Sequence, residues 1–483
     1  MKQSNKNKKF RVFLRKAPRD CVHLVLTINY SGASFRGLQI QTHAPTHHTV
    51  EGVLLQAMKD VGLIDQISKG TIAGDDHHLG RSCRTDRGVH ALKNVVALFA
   101  TKAAFEKLGG VEGIKEKLNH ALLPLVRVAQ VTVVSANFIP RQCCSRRVYW
   151  YMMPLYAMVA PCDSWETLFK AHPDLSTALD HCAHGTTKEG VRFWDMNASS
   201  EAELSNPSLK LIVEKVNQCN ELLQKYIVGY HRFHNFSVDV DNVRGTVNAK
   251  VIHPNDGKAA RFIHRCTVAP FVYLIPSDGV PPSLREYHLS TASNPEELSG
   301  SSPSVLPYLV FQIEGTSFLF NMIRKIVGCV LAVLRGVREG MMEESLSPSM
   351  RVSTPLAPGP YLMLSHSFFK NYDSNLPEGG VFRPLAQEWE GAVAEETESF
   401  RWSVICKDIV GSDLNQLPPL DTILQARDHY WKERRPHTAE EDTHLPGEGE
   451  GRKGDRGAES VGDDAFPSTV EGAQLVRPTG ATR

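Results

Sequence analysis

An α+β fold is what the sequence of this 483-residue chain predicts. Three observations carry that reading. A β-rich alternating run opens the globular text, a capped amphipathic helix follows it, and a second helix then leads into another β-rich run.

The elements fall in order. Val22-His-Leu-Val-Leu-Thr-Ile-Asn-Tyr30 alternates and reads as a strand. Thr49 stands where an N-cap belongs, ahead of a helix whose apolar face is Val53, Leu54, Met58 and Val61 to Leu63. Thr71-Ile72 begins a loop, and Asn94-Val-Val-Ala-Leu-Phe99 is a buried strand. A helix runs near Gly113 to Ala121, and Ala129 to Val134 is a strand continuing towards Arg147–Tyr151. Strand–helix–strand, then helix–strand, is the ferredoxin-like order. Residues 155 to about 225 are the least patterned; Trp165, Phe169 and Trp194 signal packing, and Leu211 to Leu223 suits a helix. Beyond Gly229 come strands at Val247–His253, Phe262–Pro270 and Leu309–Ile313, then a helix from Phe318. Helical patterns surround Trp389, Phe400 and Tyr430.

These elements divide the chain into a basic arm (1–20), a first half carrying Asp86 (21–140) and a second half (141–370) with insertions near 155–225 and 276–307. A helical extension (371–435) and a tail (436–483) follow. The tail is rich in Glu, Gly and Asp with almost no large apolar residue. It buries too little to offset its ordering entropy and is expected to be disordered.

Composition narrows the function. No apolar run approaches the ~18–20 residues that cross a bilayer, and Ile323 to Leu334 is interrupted by Arg324 and Lys325. The ten cysteines have no CxxC spacing, which points to reduced thiols and an intracellular setting. Net charge is +1, yet Met1 to Arg19 holds eight Lys/Arg and no acid, while the region beyond Glu388 is acid-rich. A basic arm and cleft can hold RNA while an acidic tail balances the total. Lys6, Lys8, Lys9, Arg11, Arg15 and Lys16 fit a nuclear-import cluster better than a mitochondrial presequence or a nucleic-acid arm.

The stretch Arg81-Ser-Cys-Arg-Thr-Asp-Arg-Gly-Val-His90 carries the chemistry. One carboxylate, Asp86, stands between Arg84 and Arg87, with Gly88 closing a turn ahead of a buried strand. An acid held under positive charge stays ionised and can act as a nucleophile. Alone, these ten residues favour the plainer reading of an Asp-x-Gly turn whose carboxylate bonds its own backbone.

Arg84 to Ala91 resembles the catalytic motif of the TruA family of tRNA pseudouridine synthases, and it has company. Tyr30-Ser-Gly-Ala-Ser-Phe-Arg-Gly-Leu-Gln39 resembles that family's first strand and turn, and Thr49-Val-Glu51 the start of its first helix. Leu118–Pro124, Arg147-Val-Tyr-Trp-Tyr151 and Gly315–Gly328 match further segments in order. Ala357-Pro-Gly-Pro-Tyr-Leu-Met-Leu364 resembles the segment that lines the family's uridine pocket. The resemblance implies two related halves sharing a mixed, mainly antiparallel sheet around a basic RNA-binding cleft. It is strongest to the eukaryotic multi-site branch through Gly229-Tyr-His-Arg-Phe-His-Asn-Phe236 and Ala260-Arg-Phe-Ile263. Against that branch, His90 is closer to the bacterial form of the motif, and further departures are Leu38, Asn94, Phe320-Asn321 and Pro360.

What the resemblance implies is isomerisation of uridine to pseudouridine in tRNA, in the anticodon stem-loop region, with mRNA and small nuclear RNA as further candidate substrates. Reactant and product are isomers, so no cofactor or metal is demanded, and the chain holds no P-loop or dinucleotide fingerprint. On that resemblance Asp86 is expected to be the catalytic carboxylate, attacking the ribose C1′ or uracil C6, or abstracting a sugar proton. Arg324 is its partner, Tyr149 stacks on the flipped base, and Arg84 fills the gap the base leaves or contacts a phosphate. Arg147, Tyr149 and Tyr151 share one strand face. Arg146, Arg147, Lys325 and Arg261 are candidate phosphate contacts. A nuclear monomer is expected, with mitochondrion and cytoplasm as alternatives. Rival readings are a catalytically inactive RNA-binding or RNA-folding module, and a base-flipping hydrolase.

Overall fold

The computed structural model describes residues 20–41, 45–65, 79–122, 124–237, 252–276, 305–414 and 435–436. The basic arm to residue 19, Thr71-Ile72, most of the Val247–His253 strand, the insertion over 277–304, Tyr430 and the tail beyond 436 lie outside the described residues.

Strand β1 (Cys21–Tyr30) is paired along both edges and buried on both faces. Leu24, Leu26, Ile28 and Tyr30 join the main core with Leu54 and Met58 of helix α1 (Val50–Asp60). Thr49 caps α1 as read from sequence, its side chain accepting from the Gly52 amide. A two-residue strand, β2 (Gly80–Arg81), pairs with β3 (His90–Thr101), which runs antiparallel to β1. Helix α2 (Gly110–Ala121) adds Ile114 and Leu118 to the same core, and β4 (Val126–Val133) flanks β1 on its other side.

The expectation that the Ala129–Val134 strand runs on towards Arg147 is corrected. Pro140 opens a helical turn, Pro140–Cys143, and the chain then crosses the sheet before β5 (Arg146–Pro154). β1, β3 and β13 (Leu362–Phe368) lie between β4 and β5. A proline that suits a helix start and cannot donate to a ladder explains the break.

Residues 155–225, expected to be an insertion, extend the sheet. β6 (Gly185–Thr186) and β7 (Arg192–Asp195) pair, and β7 joins β10 (Phe271–Pro276), a strand the sequence reading did not separate. Helix α3 (Pro207–Tyr226) is longer than Leu211–Leu223 because Asn206 caps it and Pro207 occupies its first turn. β8 (Gly229–Arg232) pairs with β9 (Ala260–Val268), and β11 (Val305–Gly315) takes its first residues from the expected 276–307 insertion.

Among the described residues the main sheet has 12 strands and is mixed: β13 runs parallel to β3 through Met363↔His90 and Leu364↔Ala91, and antiparallel to β5. Helix α4 (Met322–Leu334) begins later than Phe318 because Asn321 adopts φ 63°, a left-handed turn that keeps Phe318 to Phe320 outside the helix. β12 (Met350–Arg351) pairs with β14 (Arg435–Pro436) apart from the main sheet.

The C-terminal segment covers the second face of the sheet. It comprises α5 (Ala392–Phe400), a π-helical stretch at Arg401–Cys406 and α6 (Lys407–Leu414). Leu385 and Trp389 pack with Val25, Val95 and Ala97. The Trp389 indole donates to Thr27 Oγ1 at 3.0 Å, and the Arg401 guanidinium lies 3.9 Å over the Trp150 ring.

Candidate active site

The turn that carries Asp86 is wrapped by the segment after β1. Gly88 donates to the Phe35 carbonyl at 3.2 Å, and Leu38 donates to the Thr85 carbonyl at 3.1 Å. Gly88 sits at φ 79°, where a side chain is costly. Below the turn, the Tyr30 hydroxyl lies 2.8 Å from Thr85 Oγ1 and accepts from Asn94 Nδ2 at 3.1 Å. Asn94, one of the departures from the family pattern, is therefore a working part of the floor.

The turn opens into a cleft of about 770 Å³, within the usual range for a ligand site. Asp86, Arg84, Tyr149, Arg147 and Arg324 all line it. The charged lining is one-sided: Arg81, Arg84, Arg141, Arg147 and Arg324 against the single carboxylate of Asp86. Arg81 is neutralised, since it bonds Glu51, whose other oxygen accepts from the Ile40 amide at 2.9 Å.

Among the described residues, nothing donates a hydrogen bond to the Asp86 carboxylate, so the self-bonded turn is not what forms. Burial pushes its carboxyl above the ordinary range, and Arg324 opposes that shift. Arg324 faces Asp86 without a direct ion pair. Its Nε donates to the Ala357 carbonyl at 2.6 Å, and Nη1 reaches Asn321 Oδ1 at 3.3 Å. A fixed cation facing an unbonded carboxylate favours the anion while leaving its oxygens available for chemistry.

Tyr149 is only 6 % exposed. Its hydroxyl is 2.7 Å from Cys83 Sγ, and its ring meets Phe318 edge-on at 5.2 Å. Tyr151, on the same strand face, is buried with its ring 5.9 Å from that of Tyr361.

The expected phosphate contacts divide. Lys325 is 1 % exposed, with Nζ 3.4 Å from the Asn235 carbonyl, which removes it from any RNA-facing surface. It follows Arg324 on α4, and successive helical residues point about 100° apart, so one faces the cleft and the other the core. Arg147 lines the cleft but donates to the Thr316 carbonyl at 2.7 Å and the Ser82 carbonyl at 2.9 Å. It is a brace between the two walls rather than a solvated phosphate contact. Arg147→Met leaves two carbonyls unbonded and is expected to destabilise the fold by about 2–4 kcal/mol, read by chemical denaturation. Arg146 is exposed and paired with Glu314 at 3.0 Å. Arg261 lies outside the cleft lining and donates to the Lys258 and Ala260 carbonyls.

Sequence reasoning missed Cys83, Arg141 and Phe318, which line the cleft. Arg141 had no signal beyond its charge. Cys83 stood inside the motif, but its partner Tyr149 is 66 positions away.

No family model matches the chain. Curated proteins do. The human pseudouridylate synthase 1 homolog is 26 % identical over 400 residues, covering 81 % of this chain and 70 % of that protein. Schizosaccharomyces pombe tRNA pseudouridine synthase 2 is 24 % identical over 385 residues, 74 % of this chain and 79 % of its own. Saccharomyces cerevisiae tRNA pseudouridine(27/28) synthase is 24 % identical over 374 residues, 73 % of this chain and 85 % of its own.

Proposed function

We propose that this chain, a pseudouridine synthase of the TruA family, uses Asp86 to isomerise uridines in the anticodon stem-loop region of tRNA. One observation carries the reading: a lone carboxylate without a hydrogen-bond donor, in a cleft whose other charged lining residues are arginines and which Tyr149 also lines.

The chemistry fits those groups. A uridine rotated out of its stack presents C1′ and C6 to the cleft, at a cost of a few kcal/mol in unstacking. Asp86 acts at C1′ or C6, or takes a sugar proton; the N1–C1′ bond breaks, the uracil turns, and C5 bonds C1′. C5 gives up its proton to solvent and N1, freed from the sugar, takes one up, so reactant and product are isomers and no added reactant is needed. Tyr149 supplies the aromatic platform, and Arg84, exposed at the rim, fills the vacated stack or grips the flanking phosphate.

The strand orders β4-β1-β3-β2 and β13-β5-β11-β9 support reading the sheet as two ferredoxin-like halves meeting at β3 and β13 around a basic cleft. The positions 27/28 in the name of one relative support the anticodon stem as target. We extend the reading to mRNA and small nuclear RNA as further substrates, to a monomer, and to a nuclear location read from the basic arm.

The test is incubation with a tRNA transcript carrying C5-tritiated uridine. Tritium release with an intact ribose–base bond is expected. Release of free uracil instead means a hydrolase, and RNA binding without release means a non-catalytic module. Replacing Arg84 with alanine is expected to reduce the slope of log affinity against log salt by about one, measured by RNA titration at several salt concentrations.

A further inference from the structure

His90 sits in the motif in its bacterial form, Pro360 departs from the family pattern, and the chemistry above uses neither. The structure joins them. The Gly32 amide donates to His90 Nδ1 at 3.0 Å, so Nδ1 is the acceptor and Nε2 carries the proton. Nε2 then donates to the Pro360 carbonyl at 2.7 Å. Ser31 Oγ lies 3.1 Å from Nδ1 and donates its proton to the carboxylate of Asp408, on α6 of the C-terminal segment. His90, Ser31 and Asp408 are all fully buried.

The bond to Pro360 matters because of what residues 357–360 touch. A Cβ on Gly359 would lie 2.8 Å from the Arg87 carbonyl and 3.8 Å from Arg324 Cζ. The Pro360 ring lies against Gly88, its Cγ 3.3 Å from where a Cβ there would sit. Ala357 holds Arg324 twice, accepting from its Nε at 2.6 Å and donating to its backbone carbonyl at 3.2 Å. The segment is thus a wedge with the Asp86 turn on one side and Arg324 on the other.

We infer that His90, Ser31 and Asp408 are positioning residues that lock this wedge, so that the C-terminal helical segment sets the separation between Asp86 and Arg324. The inference rests on the catalytic reading of that pair. Without Asp408, Ser31 loses its acceptor and competes for Nδ1 of His90. Without the imidazole, the Pro360 carbonyl and the Gly32 amide both lose their partner.

The test compares full-length wild type, His90→Leu, Asp408→Leu and Asp408→Asn under single-turnover conditions with excess enzyme. Misplacing a catalytic group by an ångström costs up to about a hundredfold, so the two leucine variants are expected to lose about tenfold to a hundredfold in rate constant. Their affinity for tRNA should stay within about twofold, since no RNA-facing group changes. Asp408→Asn keeps an acceptor for Ser31 and should recover most of the rate. A purely structural role would lower the reacting amplitude and leave the rate constant alone, which overturns the inference. Amide hydrogen exchange over 86–90 and 357–361 supplies a readout independent of activity. Faster exchange in Asp408→Leu supports the lock, and unchanged exchange overturns it. Wild type that exchanges slowly here yet makes no pseudouridine overturns the functional reading instead.

Discussion

Asp86→Asn is expected to lower pseudouridine formation by roughly four orders of magnitude or more, as loss of a catalytic group does elsewhere. Its affinity for tRNA should hardly change, because the amide keeps the size of the carboxylate and leaves Arg84 and Arg141 in the cleft lining untouched. Tritium release and filter binding on the same preparation separate the two effects. Stability should move the other way. Burial, opposed by Arg324, raises the Asp86 carboxyl in the folded chain above its unfolded value. The stability tied to such a group is fully present below the unfolded value, about 3.9, and is lost as pH rises through the folded one. At neutral pH the fold therefore carries the cost of a partly desolvated anion, and the asparagine removes that cost. The variant should melt at or above wild type at pH 7 and lose any advantage as pH falls below the ordinary carboxylate range. An active Asn variant removes Asp86 from the chemistry.

The same environment explains what the sequence could reveal and what it could not. Asp86, Arg84, Tyr149 and Arg324 were named through the family resemblance, because the residues alone favoured plainer readings; each belongs to a short run whose local structure fixes its direction. A tight turn, a strand with period two and the first turn of a helix are all local devices, and the cleft brings these four together. Lys325 was misread because a formal charge says nothing of which helix face it occupies; only packing against Asn235 decides that. Arg147 was placed correctly on its strand, yet its carbonyl partners come from Ser82 and Thr316, distant in sequence.

The fold divides in the same way. Thr49 and Asn206 mark their helices by side-chain capping, which is a local signal. The left-handed turn at Asn321 and the pairing of β13 with both β3 and β5 are not local. Nor is the cover over the second face of β1. The polar Thr27 and Asn29 suggest a solvated face, but both are fully buried because the Trp389 indole and Thr397 reach them. Alternation in β1 thus reports two different partners rather than core and water.

Arg324→Met is expected to cost about a hundredfold to a thousandfold at optimal pH, the scale of removing one preorganised electrostatic partner. Burial works against the charge of Arg324, with Tyr151 and Asp86 favouring it. For the Asp86 carboxyl, Arg324 is the opposing influence to burial. Removing it leaves desolvation unopposed, so the carboxyl rises further and the acid limb of the rate profile moves to higher pH. The sign is fixed, because the reaction needs the anion and a raised carboxyl is protonated sooner as pH falls. Arg324→Lys separates charge from geometry. An ammonium restores much of the attraction and should return the limb towards its wild-type position. It has no Nε to hold the Ala357 carbonyl while its end faces Asp86, so the plateau rate should remain depressed. Single-turnover rates across pH for the three proteins decide the matter. A limb that stays put in Arg324→Met shows that something other than this guanidinium keeps Asp86 ionised, and the pairing at the centre of the site is then wrong.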